Sequence, residues 1–329
     1  MPRLPLLLIA STACLALAAC SPTTIPASTP AILPEASPAV APAVQPYRLE
    51  RTEVREITSK SLGRTYEVLV SLPDSYEANA SHRFPVLFVT DANYAFPLVR
   101  SLAARVGSSG AGLEDFVLVG LSYAKGDTPE FSRRRDYTPT LRSGFDGSSD
   151  MPGRKVEFGQ SAAYAEFIAN EVFPLVAGHY RVDMGRKIFA GHSYGALLGA
   201  DILVTRPEMF QRYILSSPSL WFDDKALLAK EAEYAKGHRD MVAEVFLAVG
   251  EFETIAPTPG DERYNTEDDL VGDMQLLQRR LESRNYPGLR IQSQVLVGED
   301  HLSGNPVAFT RGLKWALPPA NSAPTTTAR

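Results

Sequence analysis

A serine between two glycines, in residues 187–196 (KIFAGHSYGA), is the part of the sequence best suited to covalent chemistry. An apolar run typical of a buried strand ends in Gly-x-Ser-x-Gly at residues 191–195, and a run of small residues with helical character follows. A nucleophilic serine on a sharp strand-to-helix turn needs very small neighbours, and the helix directs its first N–H groups toward the hydroxyl. The pattern alone is also typical of a turn whose serine only caps a helix. The flanking strand and helix favour Ser193 as a nucleophile.

A base is expected on a loop at the same edge of the sheet, and His301 fits this position between the last predicted strand and the last predicted helix. A general base takes the proton of the serine hydroxyl and later passes it to the leaving group. The other histidines lie in polar segments, at a helix end or inside the serine turn, where the side chain should point away from Ser193: His82, His238, His179 and His192. Elimination and topology favour His301 as the base; the alternative is a solvated loop histidine.

The acid that orients the base should follow a strand and lie between the serine and the histidine in the chain. Gly250 ends an apolar strand there, and two glutamates follow it. We favour Glu253, since the acid in folds with this serine turn often lies three residues past such a glycine. Glu251 is the alternative acid. Asp300, adjacent to His301, is a third candidate.

Two backbone N–H groups are expected to bind the oxyanion that forms during acyl transfer. One belongs to Tyr194, the residue after the serine. The other should come from the loop after the buried strand at residues 84–90, where we favour Asn93, with Ala92 as the alternative.

The elements that must position these residues alternate between strand and helix. Two leading segments, 48–58 and 64–72, alternate polar and apolar residues as antiparallel edge strands do. Buried strands are predicted at 84–90, 115–123, 187–193, 213–216, 242–249 and 291–297, and helices at 98–106, 161–180, 223–234, 270–284 and 306–315. Residues 124–158 show neither the alternation of a strand nor the periodicity of a helix. This order predicts a doubly wound, mostly parallel sheet between helices, a three-layer α/β fold in one domain.

Composition excludes several other kinds of function. The 329 residues are 44% hydrophobic and 22% charged, with a net charge of −5, so nothing favours nucleic-acid binding. No histidine spacing suits a metal and no glycine-rich loop suits a phosphate, so we expect no cofactor and no metal. Both cysteines lie in the first twenty residues, which excludes a thiol nucleophile or disulfide from the domain.

The N-terminal residues have the pattern of an export signal. Residues 1–19 combine Arg3 with an apolar stretch too short for an ordinary membrane span. Residues 17–20 (LAAC) resemble the lipobox of bacterial lipoproteins, which implies cleavage before Cys20 and lipidation of Cys20. The alternative is an ordinary signal peptide with an incidental cysteine.

The remaining segments follow from composition. Residues 20–46, rich in Pro, Ala, Ser and Thr, are expected to be a tether, residues 47–317 the folded domain and residues 318–329 a flexible tail. Ser21 stands where an Asp often signals retention in the inner membrane. We therefore expect a lipid anchor in the outer membrane, with the domain facing the periplasm or the cell surface.

With these residues placed, the chain resembles the esterase D-like branch of the α/β-hydrolases, and within it the siderophore (enterobactin, salmochelin and bacillibactin) esterases. The resemblance covers residues 47–315. Besides the serine turn and the His301 loop, it rests on residues 64–68 (RTYEV), 72–76 (LPDSY), 84–88 (FPVLF) with Asp91, 134–139 (RRDYTP) and 216–221 (SSPSLW).

The resemblance implies an α/β-hydrolase fold with Ser193 as nucleophile, His301 as base and Glu253 as acid. Some siderophore esterases use only a Ser–His pair. The family's oxyanion loop usually reads Asp-Gly-Asn, whereas residues 91–93 here read Asp-Ala-Asn.

Residues 124–158 follow a strand at the catalytic edge and should border the substrate pocket. Arg133 and Arg135 could bind an anionic catecholate or carboxylate there. Alternatively, the arginines of this segment pair with the nearby acids Asp127, Glu130 and Asp136. Tyr123 and Trp221 are candidate pocket walls.

The function expected from these observations is a serine esterase that hydrolyses a small-molecule ester through an acyl-enzyme on Ser193, with a siderophore-type ester as one candidate substrate. The alternatives are acyl transfer to a non-water acceptor and a non-catalytic lipoprotein that binds a siderophore or glycan.

Overall fold

A computed structural model describes residues 46–319, except 79, 108–110, 143, 146, 258–259 and 266. The predicted signal peptide, Cys20, most of the tether and most of the tail lie outside the described residues. The folded unit begins at Arg48.

In the part of the chain that the structure describes, one sheet of eight strands forms the middle layer. The strands are β1 (Thr52–Thr58), β2 (Thr65–Ser71), β3 (Phe84–Val89), β4 (Val117–Ala124), β5 (Val182–His192), β6 (Arg212–Ser216), β7 (Ala243–Gly250) and β8 (Leu289–Leu296). Their order across the sheet is β1-β2-β4-β3-β5-β6-β7-β8. β2 is antiparallel to both β1 and β4, and all other neighbours are parallel. The predicted topology is therefore confirmed.

From β3 onward, each strand is followed by at least one helix. The helices are α1 (Ala92–Gly107), α2 (Pro129–Tyr137), α3 (Ser161–Phe167), α4 (Phe173–His179), α5 (Tyr194–Thr205), α6 (Phe222–Gly237), α7 (Leu270–Ser283) and α8 (Gly304–Ala316). A π-helical turn at Ile168–Val172 joins α3 to α4, and short 3₁₀ turns lie at Tyr76–Ala78 and Pro207–Met209. In the described part of the chain, none of the helices is both long and apolar enough to cross a membrane.

Both faces of the sheet are buried, which gives the three layers. Alternate residues of a strand point to opposite faces, so Phe88 of β3 belongs to one core and Leu87 to the other. One face is covered by α1 and α8. The other face is covered by the helices from α3 to α7.

The segment 124–158 differs from the prediction because it contains α2. Thr128 is the N-cap residue of this helix, and its Oγ1 accepts a hydrogen bond from the N–H of Phe131 at 3.2 Å. Pro129 occupies the first turn, where its missing N–H does no harm. The cap and the proline were sequence signals for a helix, but the helix buries polar residues, so the segment has no clear apolar period.

Candidate active site

Ser193 lies at the junction of β5 and α5 in a strained backbone conformation, with φ 57° and ψ −121°. The surrounding turn has no room for side chains on its two glycines. A Cβ on Gly191 would lie 2.5 Å from the backbone of Gly195, and a Cβ on Gly195 would lie 2.2 Å from Thr90 Oγ1. This is the geometry of a nucleophile elbow.

His301 lies in the turn between β8 and α8, and its imidazole meets the carboxylate of Glu253. Its Nδ1 is 2.6 Å from Glu253 Oε2. The other oxygen, Oε1, accepts hydrogen bonds from Ser217 Oγ at 2.6 Å and from the N–H of Gly250 at 2.7 Å. A carboxylate held in this way keeps the proton of a neutral imidazole on Nδ1, which leaves Nε2 free to accept the serine proton.

The two alternative acids are engaged elsewhere. Glu251 accepts the N–H of Gly298 at 2.8 Å. Asp300 accepts the N–H groups of Leu302 and Ser303 at 2.9 and 2.8 Å, and the backbone bond from Ser303 contributes most to lowering the pKa of this carboxyl. Both carboxylates therefore brace the loop around His301.

Ser193 and His301 face the same two clefts, but the described structure has no hydrogen bond between them. Ser193 Oγ is 3.4 Å from Ser219 Oγ instead. Such catalytic contacts are often long in the free enzyme and shorten when substrate binds.

The imidazole of His192 packs against that of His301, with 4.6 Å between the ring centroids. His192 is 5% exposed, and its Nδ1 is 3.1 Å from Ser216 Oγ. Burial, assisted by the nearby His301 and Arg133, lowers the pKa of His192 to about 3. The side chain is thus neutral at physiological pH. Sequence reasoning missed this contact because a ring packing across the sheet edge leaves no local pattern.

The expected oxyanion donors lie at two helix starts. Tyr194 is the first residue of α5, and Ala92 and Asn93 are the first two of α1. The carbonyl of Asp91 already accepts the N–H groups of the next turn. Among the described residues, the N–H groups of Ala92 and Asn93 have no hydrogen-bond partner, as expected in a first helical turn. The Asn93 side chain is exposed and lines neither cleft. The role of its backbone N–H as the second donor, with that of Ala92 as the alternative, stays a prediction.

A buried polar cluster supports this helix start. Asp91 is fully buried with a positive φ of 55°, and burial raises the pKa of its carboxyl. Its carboxylate accepts hydrogen bonds from Tyr123 Oη at 2.8 Å, Arg133 Nε at 2.9 Å and Tyr94 Oη at 3.3 Å.

Two clefts converge on Ser193 and His301, and Glu130 and Arg133 border both. The first, which we call the aromatic cleft, has a volume of about 470 Å³ and is also lined by Tyr194, Trp221, Phe252, Arg263 and Tyr264. The second, the α1–α8 cleft, has a volume of about 750 Å³ and is also lined by Tyr94, Leu98, Tyr123, Leu302, Asn305 and Pro306.

The predicted pocket residues separate into two groups. Trp221 lines the aromatic cleft, Tyr123 the α1–α8 cleft and Arg133 both. The prediction for Arg135 is wrong. Its side chain is 1% exposed and forms ion pairs with Asp127 at 2.7 Å and Asp136 at 2.8 Å. Residues two apart on a helix point in different directions, so α2 cannot aim both arginines into one pocket.

Sequence reasoning also missed part of the aromatic cleft. Arg263 and Tyr264 come from the loop between β7 and α7, and Phe252 lies beside the acid. The Phe252 and Tyr264 rings meet edge to face at 5.2 Å. This loop has no periodic pattern that could place its side chains. The described residues also contain no group of three or more His, Cys, Asp or Glu side chains that could hold a metal.

Several known proteins are similar to this chain in sequence or in fold. The chain is 28% identical over 279 residues to the ferri-bacillibactin esterase BesA of Bacillus subtilis, covering 83% of this chain and 92% of that protein. It is 26% identical over 268 residues to the siderophore triacetylfusarinine C esterase of Aspergillus fumigatus, covering 76% and 88%. The crystal structure of the BES protein from Bacillus cereus superposes with a TM-score of 0.66 and 26% identity, covering 84% and 99%.

A family model described as putative esterase matches residues 59–295, from the end of β1 into β8. Because this match spans most of the chain, the protein belongs to the putative esterase family and is an ester-hydrolysing serine hydrolase.

Proposed function

We propose that the enzyme hydrolyses siderophore-type esters through an acyl-enzyme on Ser193, with His301 as the base and Glu253 as the acid that orients it. The observation that carries this proposal is the 2.6 Å contact between His301 Nδ1 and the buried Glu253 carboxylate, beside the strained Ser193.

The chemistry takes two steps. His301 Nε2 accepts the Ser193 hydroxyl proton as Oγ attacks the ester carbonyl carbon, and the imidazolium then protonates the departing alcohol. In the second step, a water molecule gives a proton to His301 and attacks the acyl carbonyl, which releases the acid and restores Ser193 Oγ–H. The N–H of Tyr194, with that of Asn93 or Ala92, binds the oxyanion in both steps.

Two lines of support point to the substrate class. Relatives that cover most of the chain are named for siderophores, ferri-bacillibactin and triacetylfusarinine C. The aromatic cleft also offers rings on which a planar acyl group can stack, including Trp221 and Tyr264. Arg133 is neutralised by Asp91, so ring stacking contributes more to this proposal than a free positive charge does.

The location is part of the proposal. The lipobox-like residues before Cys20 support export and lipidation, with the domain held at the membrane by the tether. An exported siderophore esterase would act on ferric siderophore outside the cytoplasm.

The test combines active-site labelling with product analysis. A fluorophosphonate probe should label the wild type and not Ser193→Ala, because the probe reacts with the activated hydroxyl. Ferric and iron-free catecholate trilactones are then incubated with both proteins and separated by chromatography. We expect linear hydrolysis products from the wild type only. Equal labelling of both proteins would contradict the role of Ser193. Intact trilactones alongside cleaved aryl esters would contradict the substrate class, and transfer of the acyl group to added alcohols would indicate an acyltransferase.

A further inference from the structure

Three serines at the end of β6 and in the loop after it each contact a different part of the active site. Residues 216–219 read Ser-Ser-Pro-Ser. The first of these serines has its Oγ 3.1 Å from Nδ1 of His192, and the second donates to the carboxylate of Glu253 at 2.6 Å. The last, Ser219, has its Oγ 3.4 Å from Ser193 Oγ. Of the three contacts, this one alone reaches the nucleophilic oxygen itself.

Ser219 faces the nucleophile with both its side chain and its backbone. Its N–H donates to the carbonyl oxygen of Ser193 at 3.4 Å, beside the contact between the two hydroxyls. Ser219 is 2% exposed and lines the aromatic cleft together with Ser193. In the described part of the chain, its hydroxyl has no other hydrogen-bond partner. The Ser219 hydroxyl is therefore placed to act on the reacting oxygen directly.

A count of hydrogens shows which hydroxyl donates during the reaction. Each serine hydroxyl carries one hydrogen and can accept through two lone pairs. Ser193 gives its hydrogen to Nε2 of His301 when its oxygen attacks the ester. Ser193 Oγ can then only accept from Ser219, which keeps its own hydrogen. The separation of 3.4 Å is long for such a bond, and catalytic contacts of this kind often shorten when substrate binds.

We propose that Ser219 is a further catalytic residue, whose hydroxyl donates a hydrogen bond to Ser193 Oγ while that oxygen carries negative charge. This inference rests on the proposed ester hydrolysis at Ser193. The charge develops when Ser193 Oγ gives its proton to His301 and attacks, and again when the same oxygen leaves the acyl-enzyme and takes the proton back. Ser219 forms no covalent bond and transfers no proton in either step. Hydrogen bonds to charged oxygens are stronger than those between neutral groups, so the contact stabilises both transition states more than the resting enzyme.

A thiol at position 193 measures this hydrogen bond without any ester hydrolysis. In a full-length chain that carries Cys14→Ser and Cys20→Ser, the thiol of Ser193→Cys is the only one. A donor to the thiolate lowers the pKa of the thiol. Adding Ser219→Ala should therefore raise that pKa by about 0.5–1 unit, measured from the pH dependence of alkylation by iodoacetamide. The same difference should appear in a His301→Ala background, because Ser219 acts on position 193 directly.

The rate of fluorophosphonate labelling tests the native nucleophile. Ser219→Ala should lower the second-order rate constant about 5- to 10-fold, because one hydrogen bond to the attacking oxygen is lost. Ser161→Ala is the matched control, since Ser161 is also buried, its hydroxyl donates to Asp201, and it lines neither cleft. This control should keep the wild-type rate constant. Circular dichroism and thermal melts establish that each variant is folded.

The pH dependence of kcat/KM separates a direct effect on the nucleophile from a displaced loop. Its midpoint reports the pKa of the base in the free enzyme. Loss of the Ser219 hydroxyl alone leaves Glu253 in place, so the midpoint should not move. Displacement of the loop would release Glu253 from Ser217 and shift the midpoint together with the rate, which would overturn the inference.

Three further results would also overturn it. They are an unchanged thiol pKa, a change in that pKa that disappears in His301→Ala, and a labelling rate of Ser219→Ala at or above that of the wild type. A faster rate would indicate that Ser219 instead accepts the Ser193 proton and holds it away from the base. None of these results would contradict the proposed function, which fails only on the comparison with Ser193→Ala and on the trilactone products.

Discussion

The contacts of Glu253 explain why this carboxylate, among several nearby, can orient the base His301. Its side chain is 3% exposed, and a backbone N–H and a serine hydroxyl hold one of its oxygens while the other faces His301. Such a group cannot rotate away, so it determines both the orientation of the imidazole and the nitrogen that carries the proton.

Glu253→Gln should lower kcat by about 10³- to 10⁴-fold, because an amide can reverse the imidazole tautomer. The fold should change little, since the two side chains have the same size. The measurement is steady-state hydrolysis of an aryl ester. Glu251→Gln is the matched control and should remain near the wild type, since Glu251 bonds only the β8–α8 loop. Wild-type activity in Glu253→Gln would show that Ser193 and His301 work as a pair without an acid.

His192 should make stability depend on pH. Its pKa is about 3 in the folded protein, against 6.5 for a free histidine. Between these values the unfolded chain binds more protons, so stability falls as the pH drops below 6.5 and is unaffected above it. The loss is about 1.4 kcal/mol per pH unit, or about 2 kcal/mol between pH 6.5 and pH 5.

Urea denaturation at several pH values, with and without His192→Phe, measures this contribution. The variant should lose less stability on acidification than the wild type does. His179→Phe replaces an exposed histidine and should keep the wild-type slope. Parallel curves for the wild type and His192→Phe would show that His192 is protonated in the folded state as well.

At the residue scale, sequence reasoning succeeds where chemistry imposes chain order and spacing. Ser193, His301 and Glu253 each follow a strand that the apolar pattern reveals, and parallel strands end at one sheet edge. Arg135 fails because its direction depends on a helix that the pattern did not reveal. The environment of His192 has no sequence signal, since Ser216 and His301 are distant from it in the chain.

Among the elements, the turn from β5 to α5 leaves very little room for side chains. Gly195→Ala should destabilise the protein by about 1–3 kcal/mol and reduce fluorophosphonate labelling, because the added methyl group overlaps Thr90 Oγ1 beneath the nucleophile. Gly178→Ala in α4 is the control, since a Cβ added there would meet no other part of the protein within 4 Å. Helix propensity predicts that this control is neutral or slightly stabilising. Equal stability of the two variants, measured by thermal melts, would contradict the proposed constraint.

The strands were the easiest elements to predict and α2 the hardest. Buried parallel strands such as β3 and β7 are mostly apolar runs, and polar loops separate each run clearly from the next. α2 buries polar side chains instead, with Arg135 and Asp136 among its buried residues. Hydrophobic periodicity therefore carries little information about it.

For the whole molecule, the most important prediction concerns attachment of the protein to a membrane through a lipid on Cys20. Cys20→Ser should abolish incorporation of labelled fatty acid and move the enzyme from the membrane fraction to the soluble fraction, while purified protein keeps its specific activity, because the domain lies beyond the tether. Lipidation and location are measured by fatty-acid labelling and by fractionation of cells that produce the wild type or Cys20→Ser. Membrane association that persists without Cys20 would contradict the lipid anchor.

The order in which the chain is made has a consequence for when the enzyme can act. The strained serine directly follows the central strand β5, whereas Glu253 and His301 come later in the chain, after β7 and after β8. A chain that has been synthesised only as far as β5 and α5 therefore contains the serine but not yet its base or its acid. We expect hydrolytic activity only once β8 and α8 are in place, because His301 lies between them.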